Sequence, residues 1–165
     1  MCLGLRFGWD PELGQWLVWA ARLLALSLTD CFRRLIPDKL LLLLAANRAA
    51  WFLILGHGAR EALEAVIACA VPAALLALVL AMEKLMGLEA MGGGDIKLLF
   101  ALALYLSWAE LLLTLLAGCL QGFVWAALTG GRKGTAVPVG PFVSAGALLT
   151  VCFGEPVLDW YFGLF

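Results

Sequence analysis

Residues 96–128 read IKLLFALALYLSWAELLLTLLAGCLQGFVWAAL, and whether this stretch is one helix or two decides the fold. As a single helix at ~1.5 Å per residue it would measure roughly 50 Å, against ~30 Å of hydrocarbon in a bilayer. Its only interruptions are Ser107-Trp108 and Glu110, with Glu110 placed where a carboxylate favours the start of a helix. Two short helices joined near Ser107 are therefore expected, over about 96–106 and 111–128. Both fall short of a full crossing. The start of the first, and with it Asp95, is expected at the membrane interface or a little inside it.

Working outward, further apolar runs fall at 13–28, 40–55, 62–82 and 139–157. The reading is an all-α integral membrane protein, a bundle of six transmembrane helices in a single domain over 1–165. Composition agrees: of 165 residues 64% are hydrophobic and 14% charged, whereas an ordinary soluble domain is about 45–50% apolar and about 25% charged. A core cannot absorb that much apolar surface, so most of the chain must face lipid. Disorder is excluded on the same ground. The formal net charge is -1, and no basic run is longer than Arg33-Arg34 or Arg132-Lys133, so nucleic acid is not expected as a partner. The cysteines stand singly and His57 is the lone histidine, so neither a metal nor a cofactor is expected. Arg22 within the first run, with Asp10 and Glu12 before it, argues against a cleaved signal peptide.

Charge placement sets the expected orientation, because short cytoplasmic loops collect Lys and Arg. With six crossings, Arg33, Arg34, Lys39, Lys84, Lys97, Arg132 and Lys133 share one side, and Arg6 and Arg60 the other. Both chain ends are then outside, in a multi-pass membrane protein. A five-helix alternative, with 96–128 unbroken, moves Arg132-Lys133 outside and loses the asymmetry.

Ionisable residues near membrane depth are costly and mark candidate sites. Here they are Asp30, Asp95, Arg22, Arg48, Glu64 and Glu110. Asp30 closes the first helix on the cytoplasmic side and Asp95 opens the fourth on that side, which brings two carboxylates from distant sequence to one level. Such a pair cannot readily ionise twice, so one member keeps a proton and the two act as acid and base. The alternative is that Asp30 marks a helix end and Asp95 caps its helix. Gly92-Gly93-Gly94 before Asp95 permit φ > 0 and leave room for a second backbone. They could equally form a turn, with Lys97 snorkelling to headgroups. Pro37, in Ile36-Pro37-Asp38, stops the first helix, and Asp38 can cap the second. Pro138-Val139-Gly140-Pro141-Phe142 opens the sixth helix on the cytoplasmic side without a titratable group, and could shape the floor of a site or simply start a helix. Asn47 and Arg48 fall mid-run in the second helix and are expected to hydrogen-bond to other helices.

Taken together these residues resemble the type IV prepilin peptidase family, membrane aspartic proteases of the GxGD class. Asp30 through Asp38 match the motif of an Asp spaced ahead of Ile-Pro-Asn/Asp; Gly92, Gly94, Asp95 and Lys97 match Gly-x-Gly-Asp-x-Lys. Pro138 to Phe142 approximate Pro-Phe-Gly-Pro-Phe, with Val139 in place of the first Phe. The resemblance implies removal of a basic leader from prepilins or pseudopilins at the cytoplasmic face, with Asp30 and Asp95 as the catalytic pair. Pro37, Gly92, Gly94 and Lys97 would support them. Longer relatives in this family carry a methyltransferase insertion with CxxC pairs; no such pair occurs here, so peptidase activity alone is expected. Two other classes compete with this reading. A small proton-coupled transporter would use Asp30, Asp95 and Glu64 as a relay, and a noncatalytic scaffold would tolerate Asn at either aspartate.

Overall fold

The computed structural model describes residues 11–33, 37–55, 58–86, 92–128 and 139–163. These form seven α-helices and their connecting turns: α1 (Pro11–Arg33), α2 (Asp38–Leu55), α3 (Ala59–Ala68), α4 (Ala70–Met86), α5 (Gly93–Ala103), α6 (Trp108–Leu128) and α7 (Val139–Phe162). Arg34, Ile36, His57, Glu89, Arg132, Lys133 and Pro138 lie outside the described residues. Helices α3 and α4 are one rod with a local irregularity at Cys69. The Cys69 N–H still donates to the Ala65 carbonyl at 3.0 Å, and Ala73 N–H to the Cys69 carbonyl at 3.2 Å. The cause is Pro72, which has no N–H for the Ala68 carbonyl and whose ring crowds it.

The stretch over 96–128 is broken. Helix α5 ends at Ala103, and the N–H groups of Tyr105 and Leu106 both turn back to the Leu102 carbonyl, at 2.9 and 3.0 Å. Ser107 then starts α6 through a reciprocal cap. Its N–H and hydroxyl donate to Glu110 Oε2 at 2.9 and 3.0 Å, and its Oγ lies 3.4 Å from the Glu110 N–H. This is the Ser-x-x-Glu capping box, which satisfies otherwise orphaned amides.

Among the described residues, three rods are by length and composition apolar enough to cross a membrane: Ala59–Leu85, Trp108–Leu128 and Val139–Phe162. Helix α5 has 11 residues, and at ~1.5 Å each it reaches only about half the hydrocarbon thickness. Helix α2 carries Asp38, Lys39 and Arg48, and α1 carries Glu12, Arg22, Asp30 and Arg33.

The chain divides into two compact units, one of residues up to 35 with 112 onward, the other of residues 36–111. In the first, α1 packs on α7. Gln15, Trp19, Leu23, Leu26 and Asp30 recur every three or four residues along α1 and are all buried, as one face of a helix requires. Helices α6 and α7 meet backbone to backbone: a Cβ on Gly146 would lie 2.6 Å from the Thr114 carbonyl oxygen. Thr114 and Thr150 hydrogen-bond across this seam at 3.1 Å. Small residues and a polar bridge are how helices associate where lipid competes for apolar contact.

In the second unit the short helix α5 is the centre, touching α2, α3 and α4. Leu98, Leu99, Leu102 and Ala103 are fully buried. Its far end is locked to α2. Asn47 Nδ2 donates to the Tyr105 hydroxyl at 3.0 Å, and that hydroxyl donates to the Leu44 carbonyl at 2.7 Å. Arg48 Nε donates to the Leu104 carbonyl at 2.9 Å, an end-of-helix oxygen that would otherwise lack a partner. The Arg48 guanidinium also lies 5.6 Å from the centroid of the Tyr105 ring. Asn47 and Arg48 thus bond to another helix, as their mid-run position implies.

Candidate active site

Asp30 belongs to the first unit and Asp95 to the second. Asp30 occupies the last turn of α1, where unpaired carbonyls make a carboxylate unfavourable. Its compensation comes from another helix. The carboxyl lies against the backbone of Gly140, in the first turn of α7, which is the polar group it faces. Helix N-termini offer free N–H groups and a positive dipole end to an anion. The approach is close: a Cβ on Gly140 would stand 2.6 Å from Asp30 Oδ2 and 3.1 Å from its carboxyl carbon. Only glycine leaves that space. Asp30 is 7% exposed, and its Oδ2 completes no hydrogen bond among the described residues. One helical turn further, Ser144 is also buried, with its Oγ unpartnered among them. The sequence marked the stretch around Gly140 as a possible floor of a site but did not name Asp30 as its partner, because the stretch holds no titratable group. The signal available was the glycine itself.

Asp95 is held locally. Gly92 is the N-cap of α5, with φ −66° and ψ 137°, and Gly93 and Gly94 are already helical. Gly92 therefore makes no use of the φ > 0 that glycine permits. A Cβ there would meet Asp95 Oδ2 at 3.4 Å, an ordinary contact. The Asp95 N–H donates to the Gly92 carbonyl at 3.1 Å, which fixes the first turn. The carboxylate thus stands at the N-terminal end of its own helix, half-buried, where the dipole favours it.

Lys97 does not reach away to headgroups. Its Nζ donates to Asp38 Oδ1 at 2.8 Å, with both side chains largely exposed. Asp38 is the first residue of α2, directly after Pro37, whose carbonyl accepts from the Leu40 N–H at 3.0 Å. This pair joins the Pro37-Asp38 end of the first motif to the second motif, Gly92 to Lys97, within one unit. Glu64 pairs with Arg60 at 3.2 Å, and Glu110 serves the α6 cap. Among the described residues no cluster of His, Cys, Asp and Glu has the makings of a metal site.

The helices and the two motif carboxylates define an all-helical protein with membrane-spanning rods and an acidic residue at one end of each of two helices. The family model of the type IV leader peptidase family matches residues 17–127, which include both carboxylates, and the chain belongs to that family. It is 33% identical to a prepilin leader peptidase/N-methyltransferase of Aeromonas hydrophila, over 98% of this chain and 56% of that protein. It is 30% identical to the one of Legionella pneumophila, over 96% of this chain and 56% of that protein. With the Bacillus subtilis protein of the same name the identity is 31%, over 96% and 63%. The chain thus spans little more than half the length of these relatives. No solved structure matches it.

Proposed function

We propose that this chain is a membrane-embedded aspartic endopeptidase that removes the basic leader from prepilin or pseudopilin substrates at the cytoplasmic face of the inner membrane. The observation that carries this reading is the burial of Asp30, a carboxyl in the last turn of its own helix, against Gly140 in the first turn of another. Asp95 stands in the first turn of α5.

The chemistry follows from two carboxyl groups sharing one proton. One carboxylate takes a proton from water as its oxygen attacks the scissile carbonyl carbon, while the other carboxyl gives its proton to the carbonyl oxygen. Collapse breaks the C–N bond: the nitrogen leaves with the proton returned from the first carboxyl, and one hydroxyl of the tetrahedral carbon gives its proton back to the second, which restores the starting pair. Asp30 and Asp95 are the groups assigned to these roles; Pro37, Gly92, Gly94 and Lys97 hold them in place. The same proposal places six rods across the bilayer: α1, α2, α3 with α4, α5, α6 and α7. Both chain ends are outside, and the short α5 leaves Asp95 slightly below the inner surface. It covers the peptidase half of the relatives' names only.

The test is co-expression with a prepilin and measurement of its size shift, for wild type, Asp30→Asn and Asp95→Asn at matched membrane levels. Each variant is expected to abolish processing. Retained processing in either would remove that residue from the mechanism, and no cleavage of any prepilin by wild type would favour a transporter or a scaffold.

A further inference from the structure

Helix α7 is buried along two stripes. Gly146 lies against the Thr114 backbone of α6, and Thr150 bonds to the Thr114 hydroxyl, so one stripe faces α6. Gly140, Ser144, Ala147 and Val151 recur at intervals of four, three and four residues, are all buried, and make the other. Because Gly140 seats Asp30, this second stripe faces α1, with Ser144 one helical turn from the carboxyl.

Ser144 is 2% exposed, and its Oγ completes no hydrogen bond among the described residues. A serine or threonine hydroxyl within a helix has a ready acceptor in the carbonyl four residues earlier. Ser27 and Thr29 of α1 use it, donating to the Leu23 and Ala25 carbonyls at 2.9 and 2.7 Å. For Ser144 that carbonyl belongs to Gly140, and the hydroxyl does not take it. Across the seam Asp30 Oδ2 is a buried acceptor that also lacks a partner. A donor without an acceptor and an acceptor without a donor therefore stand on one seam, where each is costly alone. Side chains four residues apart on a helix are ~5–6 Å apart at Cβ, and Oδ2 lies 2.6 Å from where a Cβ on Gly140 would be. One water, with two hydrogen bonds of about 2.8 Å, spans such a gap. No ionisable side chain occurs on α7 from Val139 to Val151 to compete for the carboxyl.

We propose that Ser144 is a positioning residue for Asp30: its hydroxyl donates, through one bridging water, toward Oδ2 and holds the carboxyl in a single orientation on Gly140. This rests on the reading above of Asp30 as a reacting group. Gly140 gives the carboxyl room, and Ser144 gives it direction.

The experiment measures Tm in detergent for the full chain with Ser144→Ala, alone and in an Asp30→Leu background, and kcat and KM of Ser144→Ala on a purified prepilin. Alone, the substitution leaves the carboxylate oxygen without its donor and should lower Tm by about 2–4 °C. With leucine at position 30 the hydroxyl has nothing to serve, and alanine, the better helix former, should raise Tm. On prepilin kcat should fall about tenfold with KM within about twofold, since the orientation of a reacting carboxyl matters to the chemical step. The same Tm change in both backgrounds, or none in either, would overturn the contact whatever happens to cleavage. A reversal of sign with kcat unchanged would overturn the positioning role. A reversal of sign with no cleavage of the prepilin by wild type would keep the contact and overturn the peptidase reading.

Discussion

Asp30 and Asp95 both meet the N-terminal end of a helix, but only Asp95 meets that of its own. Asp95 follows its glycine by three residues and lies in the first turn of α5, so backbone, dipole and carboxylate agree within one segment. Asp30 stands in the last turn of α1, at the wrong end of its dipole, and depends on Gly140, far along the chain, for a polar backbone contact and for its space. A locally built carboxylate tolerates change around it; a carboxylate built from two distant helices does not. The two surroundings should therefore respond unequally to the same small substitution.

Gly140→Ala should have the largest effect. Its methyl would enter at 2.6 Å from Asp30 Oδ2, and overpacking of this kind costs about 1–3 kcal/mol. If Asp30 reacts as proposed, that is a fall in processing rate of roughly tenfold or more, read from the size shift of a co-expressed prepilin at equal membrane levels. A rate within twofold of wild type would mean that Asp30 does not need the seat on α7.

Tyr105→Phe comes next, and acts on stability. It removes the hydroxyl that links Asn47 to the Leu44 carbonyl in a buried position, leaving groups unpaired at ~1–3 kcal/mol. The expected outcome is a lower Tm in detergent, with Asn47→Ala in the Tyr105→Phe background adding little, since the two share one network. Full additivity would show that the lock at the far end of α5 is not a unit.

Gly92→Ala should be milder than Gly140→Ala, because its methyl meets Asp95 Oδ2 at an ordinary 3.4 Å. A change in processing of about twofold or less is expected, given that well-fitted small-to-Ala changes cost under ~1 kcal/mol. Gly93→Ala should have the smallest effect on processing. Nothing lies within 4 Å of a Cβ there, and alanine is favoured over glycine within a helix by about 1 kcal/mol. A small rise in Tm with unchanged processing is the expected result. If Gly92→Ala or Gly93→Ala harmed processing more than Gly140→Ala, the contrast between the two carboxylates would be reversed.

How much of this was legible in the sequence follows the same division. The break within 96–128 could be read because its causes are local: a stretch too long for one crossing, and Ser107 three residues before Glu110. The irregularity at Cys69 also has a local cause, Pro72, but an uninterrupted run over 62–82 hid it. Gly92 and Asp95 were readable as a motif, although the backbone at Gly92 takes ordinary dihedrals and a Cβ there would make only an ordinary contact. Asn47 and Arg48 were readable as inter-helix donors, though the acceptors, Tyr105 and the Leu104 carbonyl, were not. The pairing of Lys97 with Asp38 was not legible, and of the seating of Asp30 on Gly140 only the glycine, not its partner, could be read. Both join residues far apart in the chain, and neither leaves a periodicity or a charge run behind.

The central claim is that Asp30 and Asp95 work on one peptide bond, and their proximity tests it most directly. With the native cysteines replaced by serine, Asp30→Cys and Asp95→Cys would be introduced together in the membrane-embedded chain, and exposed to a short thiol-to-thiol cross-linker. Asp38→Cys with Lys97→Cys serves as the positive control, since those side chains meet at 2.8 Å. The account predicts an internally cross-linked product for the 30–95 pair, blocked by prior alkylation. Efficient cross-linking of the control with none between positions 30 and 95, with and without a co-expressed prepilin, would contradict it.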